Sequence, residues 1–134
     1  MEFRSFAKVN IGLEITGKRA NGYHELRTIF QTISLYDTIE INENQRDEVS
    51  LSGDSNNILW DKSNTIIRAF ELMYDKFGLN KGFDIHVKKN IPAGSGLGGG
   101  SSNAAIMMMF IMDYFKLEIP IEELTNLGRT IGAD

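Results

Sequence analysis

The sequence contains no cysteine, which excludes disulfide bonds and thiolate metal sites. It also lacks a strong charge of either sign, since 14 basic and 18 acidic residues give a net charge of −4. No basic stripe interleaved with aromatic residues occurs, so a nucleic-acid partner is not expected. The longest apolar run, residues 104–112, is far shorter than the roughly 20 residues of a membrane span. Because the first residues also lack the apolar centre of a signal peptide, we expect a cytoplasmic enzyme or binding domain without a membrane partner.

Glycine, in contrast, is concentrated in one stretch, where it occupies five of the seven positions 94–100. Before this stretch, Phe83, Ile85 and Val87 alternate with polar residues, a pattern that predicts a strand. After it, residues 101–103 are good helix N-cap types, and residues 104–115 are compatible with a helix. Glycines and a helix N-terminus both present backbone N–H groups to an anion. The stretch therefore predicts a phosphate-binding loop between a strand and a helix.

Other glycine-rich loops fit this stretch less well. A dinucleotide-binding loop requires an acidic residue after a second strand, but Glu118 stands beside Pro120 without an apolar strand around it. The Walker A pattern fails because no Gly-Lys-Ser/Thr closes the loop, and the protein-kinase loop requires Val where this chain has Ser101. A flexible linker remains as an alternative, although linkers seldom join a strand directly to an apolar helix.

The first half of the chain is rich in strand patterns. Apolar and polar residues alternate strictly over residues 7–15, which predicts a strand with Lys8 and Asn10 on one face. That face is either functional or an ordinary solvated face. A turn at 17–22 precedes Tyr23 and His24, a pair that can stack on a flat ligand or simply flank the turn. A second strand is predicted at residues 26–35, and a further hairpin is predicted between residues 37–42 and 48–51.

Helices dominate the second half. Apolar residues from Ile66 to Phe77 form an amphipathic stripe, with Ser63 or Asn64 as the predicted cap and Gly78 as the end. The helix over 104–115 is apolar on every side and is expected to be buried all round, with its methionines filling the core. A last helix is predicted to start with Pro120 as its first residue and to present Ile121, Leu124 and Leu127 to the core. Strands followed by helices predict an α+β domain with a mostly antiparallel sheet packed with helices.

Four stretches together resemble the GHMP kinases, the group of galactokinase, homoserine kinase, mevalonate kinase and phosphomevalonate kinase. Residues 92–105, PAGSGLGGGSSNAA, resemble the second signature of this group. Residues 7–10 (AKVN), 19–24 (RANGYH) and 127–134 (LGRTIGAD) resemble the branch that acts on 4-diphosphocytidyl-2-C-methyl-D-erythritol. The resemblance implies that residues 1–134 are the N-terminal, ATP-binding domain of the family.

The same resemblance implies a second domain, because members of the family carry a C-terminal α+β domain with a third glycine-rich signature. We expect that domain to pack on this one and to be required for activity. Without it, the helix over 104–115 is expected to expose an apolar patch larger than the few hundred Å² of an ordinary monomer. The isolated chain is then expected to self-associate or bind a hydrophobic dye, and to show no kinase turnover.

The resemblance also implies the reaction, which is transfer of the γ-phosphoryl group of ATP, carried with Mg²⁺, to the 2-hydroxyl of the acceptor. It assigns Lys8 and Asp134 to catalysis, and Asn10, Tyr23 and His24 to acceptor binding, with Tyr23 stacked on the cytosine. It implies no dedicated metal cage, although Ser101 can reach the Mg²⁺ of Mg-ATP. The resemblance places Asn64 and Lys89 at the adenine of ATP. It also assigns the loop and the start of its helix to ATP binding: Pro92, Ala93, Gly94, Ser95, Gly96, Leu97, Gly98, Gly99, Gly100, Ser101, Ser102, Asn103.

Three alternatives stay open at this point. Another small-molecule GHMP kinase should lack the Gly-Tyr-His element. A non-catalytic nucleotide-binding domain should bind nucleotide without turnover. A purely structural domain is the third, because the family's fold resembles a domain of a ribosomal protein.

Overall fold

The computed structural model describes residues 1–18 and 24–132, and for residues 10–18 and 24–30 it describes only the course of the strands. Within this part of the chain, four strands form one sheet, two helices pack on it, and a third helix packs on those two helices. The strands are β1 Glu2–Lys18, β2 His24–Glu43, β3 Val49–Gly53 and β4 Phe83–Lys88. The helices are α1 Thr65–Phe77, α2 Gly99–Tyr114 and α3 Ile121–Ile131.

The strand order in the sheet is β1-β2-β4-β3. β1 pairs with β2 and β2 pairs with β4, both antiparallel, whereas β3 pairs with β4 in parallel. The predicted α+β class and mostly antiparallel sheet are therefore confirmed. β2 is one continuous strand rather than the two predicted segments, since no glycine or proline interrupts it.

The predicted hairpin between residues 37–42 and 48–51 is wrong, because β4 lies between β2 and β3. Asn44 explains how the chain leaves β2: its backbone N–H donates to Gly82 O at 3.0 Å, and its side chain donates to Asp84 Oδ1 at 3.0 Å. These bonds direct the polar loop toward the strand that arrives later. β4 is suited to the central place because Phe83, Ile85 and Val87 are all buried.

One face of the sheet packs on α1 and α2 around the ring of Phe83. This ring lies 5.2 Å from Phe110 and 5.0 Å from Tyr114 of α2, and 6.0 Å from Phe70 of α1, measured between ring centroids. The stripe predicted on α1 is confirmed by its buried members Ile66, Phe70 and Met73.

Both predicted ends of α1 are confirmed. The Asn64 side chain accepts a hydrogen bond from Ile66 N, and Gly78 adopts the left-handed backbone, φ 62°, that favours glycine after a helix. α3 starts one residue later than predicted, with Pro120 as its cap. Leu127 is buried and Leu124 packs partly buried against the core, as predicted, whereas Ile121 is 75% exposed and that part of the prediction is wrong. Ile131 completes the buried side of α3.

α2 is not buried all round, and that prediction is wrong. Its core side contains Met107 and Ile111, both fully buried, whereas Met109 is 62% exposed. The sheet and α1 cover α2 from one side only, and Ala105 and Asp113 are exposed together with Met109. None of the helices in the described part of the chain is long and apolar enough to cross a membrane.

Two methionines of α2 give a matched test of this packing. Met107→Ala is expected to lower the free energy of unfolding by about 2–5 kcal/mol, because it leaves a cavity in the core. Met109→Ala should change it by less than about 0.5 kcal/mol, as an exposed substitution does. Urea denaturation of the two variants measures both values. Equal losses would contradict the orientation of α2.

Candidate functional site

A cleft of about 730 Å³ opens between the segment 92–98, hereafter the glycine loop, and the N-terminus of α1. The first turn of α2 and the end of α3 complete its walls. The cleft brings together most residues that the sequence assigned to ATP, together with Lys8: Asn64, Lys89, Pro92, Ala93, Gly94, Ser95, Gly96, Gly98, Gly99, Gly100, Ser101, Asn103.

Leu97 and Ser102 are not among the residues that line the cleft. The carbonyl oxygen of Leu97 accepts from Lys8 N at 2.9 Å, which fixes the glycine loop to β1. The Ser102 hydroxyl accepts from Ser5 Oγ at 2.8 Å and ties α2 to the same strand. Both residues therefore support the cleft from behind.

The glycine loop needs glycine because its backbone enters the left-handed region three times, with φ of 68°, 78° and 73° at Gly94, Gly96 and Gly98. α2 begins at Gly99, five residues before the predicted start, and Gly98 takes the cap position without a side-chain cap. The start was mispredicted because glycine is a poor helix former, while the left-handed cap fixes the first turn. The positive end of α2 therefore lies at the cleft, where it favours an anion.

Lys8 is held against the glycine loop by packing as well as by its backbone. A Cβ atom on Gly98 would lie 2.7 Å from Lys8 Cε, so the lysine stem runs directly over this glycine. The Lys8 side chain lines the cleft and is half-buried. A cation thus stands beside the positive end of a helix, which makes this end of the cleft suited to a polyanion.

Substitution of two loop glycines separates backbone strain from this contact. Gly94→Ala and Gly98→Ala should each lower the free energy of unfolding by about 1–2 kcal/mol, because alanine is strained in the left-handed backbone conformation. Apart from its own chain neighbours, no atom of the described residues lies within 4 Å of a Cβ on Gly94, whereas a Cβ on Gly98 must displace Lys8. Gly98→Ala should therefore lower the urea midpoint clearly more than Gly94→Ala. Equal midpoints would contradict the placement of Lys8.

Part of the cleft lining is apolar, with a wall formed by Ile58, Leu59 and Trp60. The Trp60 indole lies on Gly53, where a Cβ would come within 2.0 Å of it, and its Nε1 donates to Ser55 O at 3.0 Å. Asn64 joins this wall to α1, because its amide donates to Leu59 O at 3.0 Å while its oxygen caps the helix. This apolar wall was not predicted from the sequence, although a lone tryptophan in a polar loop was a usable signal.

Further polar residues of the cleft were also not predicted. Thr65 Oγ1 donates to Gly100 O at 2.9 Å and holds the first turns of α1 and α2 together. Arg68 lines the cleft and donates to Thr130 O at 2.9 Å. Lys89 lines the cleft, where its Nζ lies 2.5 Å from Oδ2 of the buried Asp37, and its place at the adenine stays a prediction. Ser63 also lines the cleft, and its Oγ and N donate to Asp61, a residue outside the lining, whose carboxyl pKa these hydrogen bonds lower.

Four predicted site residues fall outside this description. Tyr23 and Asp134 are not among the described residues. Asn10 and His24 belong to β1 and β2, with their side chains likewise outside the description. Within the described part of the chain, no three carboxylate or imidazole side chains are grouped as a metal site requires.

The model of the GHMP kinases N terminal domain matches residues 64–134, just over half of the chain. The chain belongs to the GHMP kinase family. The matched segment contains the glycine loop and all three helices, and the resemblance stated from the sequence is confirmed.

Two relatives in the GHMP kinase family show the finer similarity. A 4-diphosphocytidyl-2-C-methyl-D-erythritol kinase of Caldicellulosiruptor bescii is 40% identical over 100% of this chain and 47% of its own length. The enzyme of the same name from Caldicellulosiruptor saccharolyticus is 42% identical over 100% of this chain and 46% of its own.

A solved structure shows the same similarity. The crystal structure of a 4-(cytidine 5'-diphospho)-2C-methyl-D-erythritol kinase superposes with a TM-score of 0.78 at 36% identity, over 100% of this chain and 47% of that one. The chain thus spans about half the length of the curated relatives it matches.

Proposed function

We propose that the cleft binds ATP and that the kinase containing this chain phosphorylates the 2-hydroxyl of 4-diphosphocytidyl-2-C-methyl-D-erythritol. One observation supports the proposal most strongly: the glycine loop, the start of α2 and Lys8 all line one cleft. The choice of acceptor is supported by the relatives of that name, at 40% and 42% identity over the whole chain.

The polar and the apolar parts of the cleft lining suit the two parts of a nucleotide. Backbone N–H groups of the glycine loop and the first turn of α2 would hold the phosphates, and the Ser101 hydroxyl would assist there. The apolar wall of Ile58, Leu59 and Trp60 would contact the base, next to Asn64. Mg²⁺ arriving with ATP would neutralise phosphate charge, and the Ser101 hydroxyl would reach it.

Phosphoryl transfer requires positioning and charge stabilisation. In the proposed step, Asp134 accepts the proton of the acceptor's 2-hydroxyl while that oxygen forms a bond to the γ-phosphorus. The bond from the γ-phosphorus to the β–γ bridging oxygen breaks, and ADP leaves. The Lys8 ammonium would keep Asp134 ionised and stabilise the developing charge, and Asn10 would orient the hydroxyl.

The acceptor's nucleotide half is assigned to Tyr23 and His24, with Tyr23 stacked on the cytosine and His24 bonded to its edge. The second half of the longer relatives would pack on this chain and close the acceptor side of the cleft. The cytoplasm is the compartment we propose for the enzyme, since the acceptor and ATP are both soluble metabolites.

An acceptor comparison tests the proposed function. An enzyme of the relatives' full length that contains this chain is incubated with Mg-ATP and one of three acceptors, and ADP release is measured. We expect release with the diphosphocytidyl-methylerythritol and none above background with mevalonate or homoserine. Turnover with mevalonate or homoserine would favour another GHMP kinase. ATP binding without turnover of any acceptor would favour a non-catalytic nucleotide-binding domain.

Tyr23 provides a prediction on the acceptor alone. Tyr23→Ala should raise the KM of the cytidine-bearing acceptor by about 5- to 150-fold, the loss of 1–3 kcal/mol of base stacking. The KM of ATP should stay nearly constant. Tyr23→Phe, which keeps the ring, is the matched control and should behave like the parent enzyme. A rise in the KM of ATP alone would place Tyr23 elsewhere.

A further inference from the structure

We propose that Asp37 is a positioning residue for the glycine loop, because its buried carboxylate binds both of the segments between which the loop is held. The inference rests on the proposed function in so far as the loop serves ATP. Asp37 belongs to β2, is fully buried, and lies more than fifty residues away in sequence from the segments that it binds.

The segment before the loop is bound through two backbone N–H groups. Asp37 Oδ1 accepts from Asn90 N at 2.8 Å and from Ile91 N at 2.9 Å, directly before Pro92. Two consecutive N–H groups that point at one anionic oxygen form a strong and geometrically restrictive contact. The Asn90 amide also donates to Tyr36 O at 2.9 Å, so β2 holds this segment at two adjacent residues.

The segment after the loop is bound through Asn103, which is 5% exposed. With its amide nitrogen turned toward the surrounding acceptors, the two N–H groups of Asn103 are shared among three acceptors, which are Asp37 Oδ2 at 3.2 Å, Gly99 O at 3.1 Å and Ser5 Oγ at 2.8 Å. We assign this orientation because all three neighbours can accept. One carboxylate is thereby connected to the residues before the loop and to the first turn of α2.

The charge of Asp37 has a second effect, on Lys89. The Lys89 side chain is 8% exposed, and a Cβ on Gly99 would lie 3.2 Å from its Nζ. Lys89 Nζ therefore lies against the first residue of α2. Among the described residues, the Asp37 carboxylate is the group that neutralises its charge there. Replacing a buried ion pair by apolar residues is often neutral for stability, so its presence next to the loop suggests a role in shaping the loop.

The consequence concerns the entropy of binding. A loop that is fixed at both ends before the nucleotide arrives does not have to be ordered on binding. Without the carboxylate, the N–H groups at the two ends lose their common partner, and the phosphates must order the loop. Affinity for ATP should fall, while affinity for adenosine, which lacks phosphates, should not.

The test compares Lys89→Met with the double variant Asp37→Leu/Lys89→Met in an enzyme of the relatives' full length that contains this chain. Both lack the lysine cation, so their difference reports on the carboxylate alone, and the double variant leaves no buried charge unpaired. By isothermal titration calorimetry the double variant should bind ATP at least about tenfold more weakly than Lys89→Met, equivalent to roughly 1.4 kcal/mol. Adenosine affinity should be the same in both. Equal ATP affinities would overturn the proposal.

Two further arms keep the result interpretable. Amide hydrogen exchange across residues 94–98 should be faster in the double variant than in Lys89→Met. The control is Ile41→Ala, a core truncation in β2, the strand that also contains Asp37. At a temperature where the variants are folded, Ile41→Ala should leave this exchange rate unchanged. Asn103→Leu, which breaks only the later contact, should reproduce the selective loss of ATP affinity if the double variant does not fold. If the parent enzyme binds no ATP, the proposed function fails, while unchanged loop exchange in the variants would overturn the role of Asp37.

Discussion

Asp134→Asn, made in an enzyme of the relatives' full length that contains this chain, is expected to lower kcat by about 10² to 10⁴-fold. Asparagine keeps the shape of the side chain but cannot accept the proton of the attacking hydroxyl. The KM values for ATP and acceptor should change little, because the proton moves only as the new bond forms. Single-turnover kinetics with the diphosphocytidyl-methylerythritol measures the chemical step directly.

Asp113→Asn is the matched control for this substitution. Asp113 is an exposed carboxylate near the end of α2, on the side away from the core. Its substitution should leave kcat within a factor of about two, as surface changes away from a site usually do. A near-normal kcat for Asp134→Asn would rule out the general base proposed here.

Lys8→Met is expected to lower kcat by about 10² to 10³-fold, the effect typical of removing one group that stabilises transition-state charge. Methionine is unbranched like lysine, so the contact of the stem with Gly98 is retained while the ammonium is lost. Lys88→Met, at an exposed position of β4, is the control and should be near normal. An Lys8→Met variant with unchanged kcat would remove the lysine from the mechanism.

The double variant Lys8→Met/Asp134→Asn distinguishes a joint role from two separate ones. If Lys8 keeps Asp134 ionised and oriented, the two losses in kcat should not multiply, because each substitution disables the same pair of groups. Full multiplication of the losses would mean that the residues act independently.

The elements that were predicted from the sequence are those with local causes. The stripe on α1, the Asn64 cap and the alternation of β4 all follow from spacings of a few residues. The glycine loop was predicted for the same reason. The start of α2 was not, because the left-handed backbone at Gly98 outweighs the poor helix propensity of the residues after it.

The features that were missed depend on contacts between distant parts of the chain. An alternating pattern shows which face of a strand is buried, but it does not show which strand lies beside it, and β3 was therefore paired wrongly. Asp37 is the clearest case at the site. Nothing next to it in sequence distinguishes it from a solvated strand residue, while its partners are Lys89, Asn90 and Ile91.

A crystal structure of this chain with Mg²⁺ and a non-hydrolysable ATP analogue tests the central claim most directly. The account predicts that the triphosphate lies against the glycine loop and the first turn of α2, with the Lys8 ammonium beside it and the base at the wall of Leu59 and Trp60. A nucleotide bound elsewhere, for example in the groove beside Glu40 and His86 on the opposite face of the sheet, with this cleft unchanged, would contradict it.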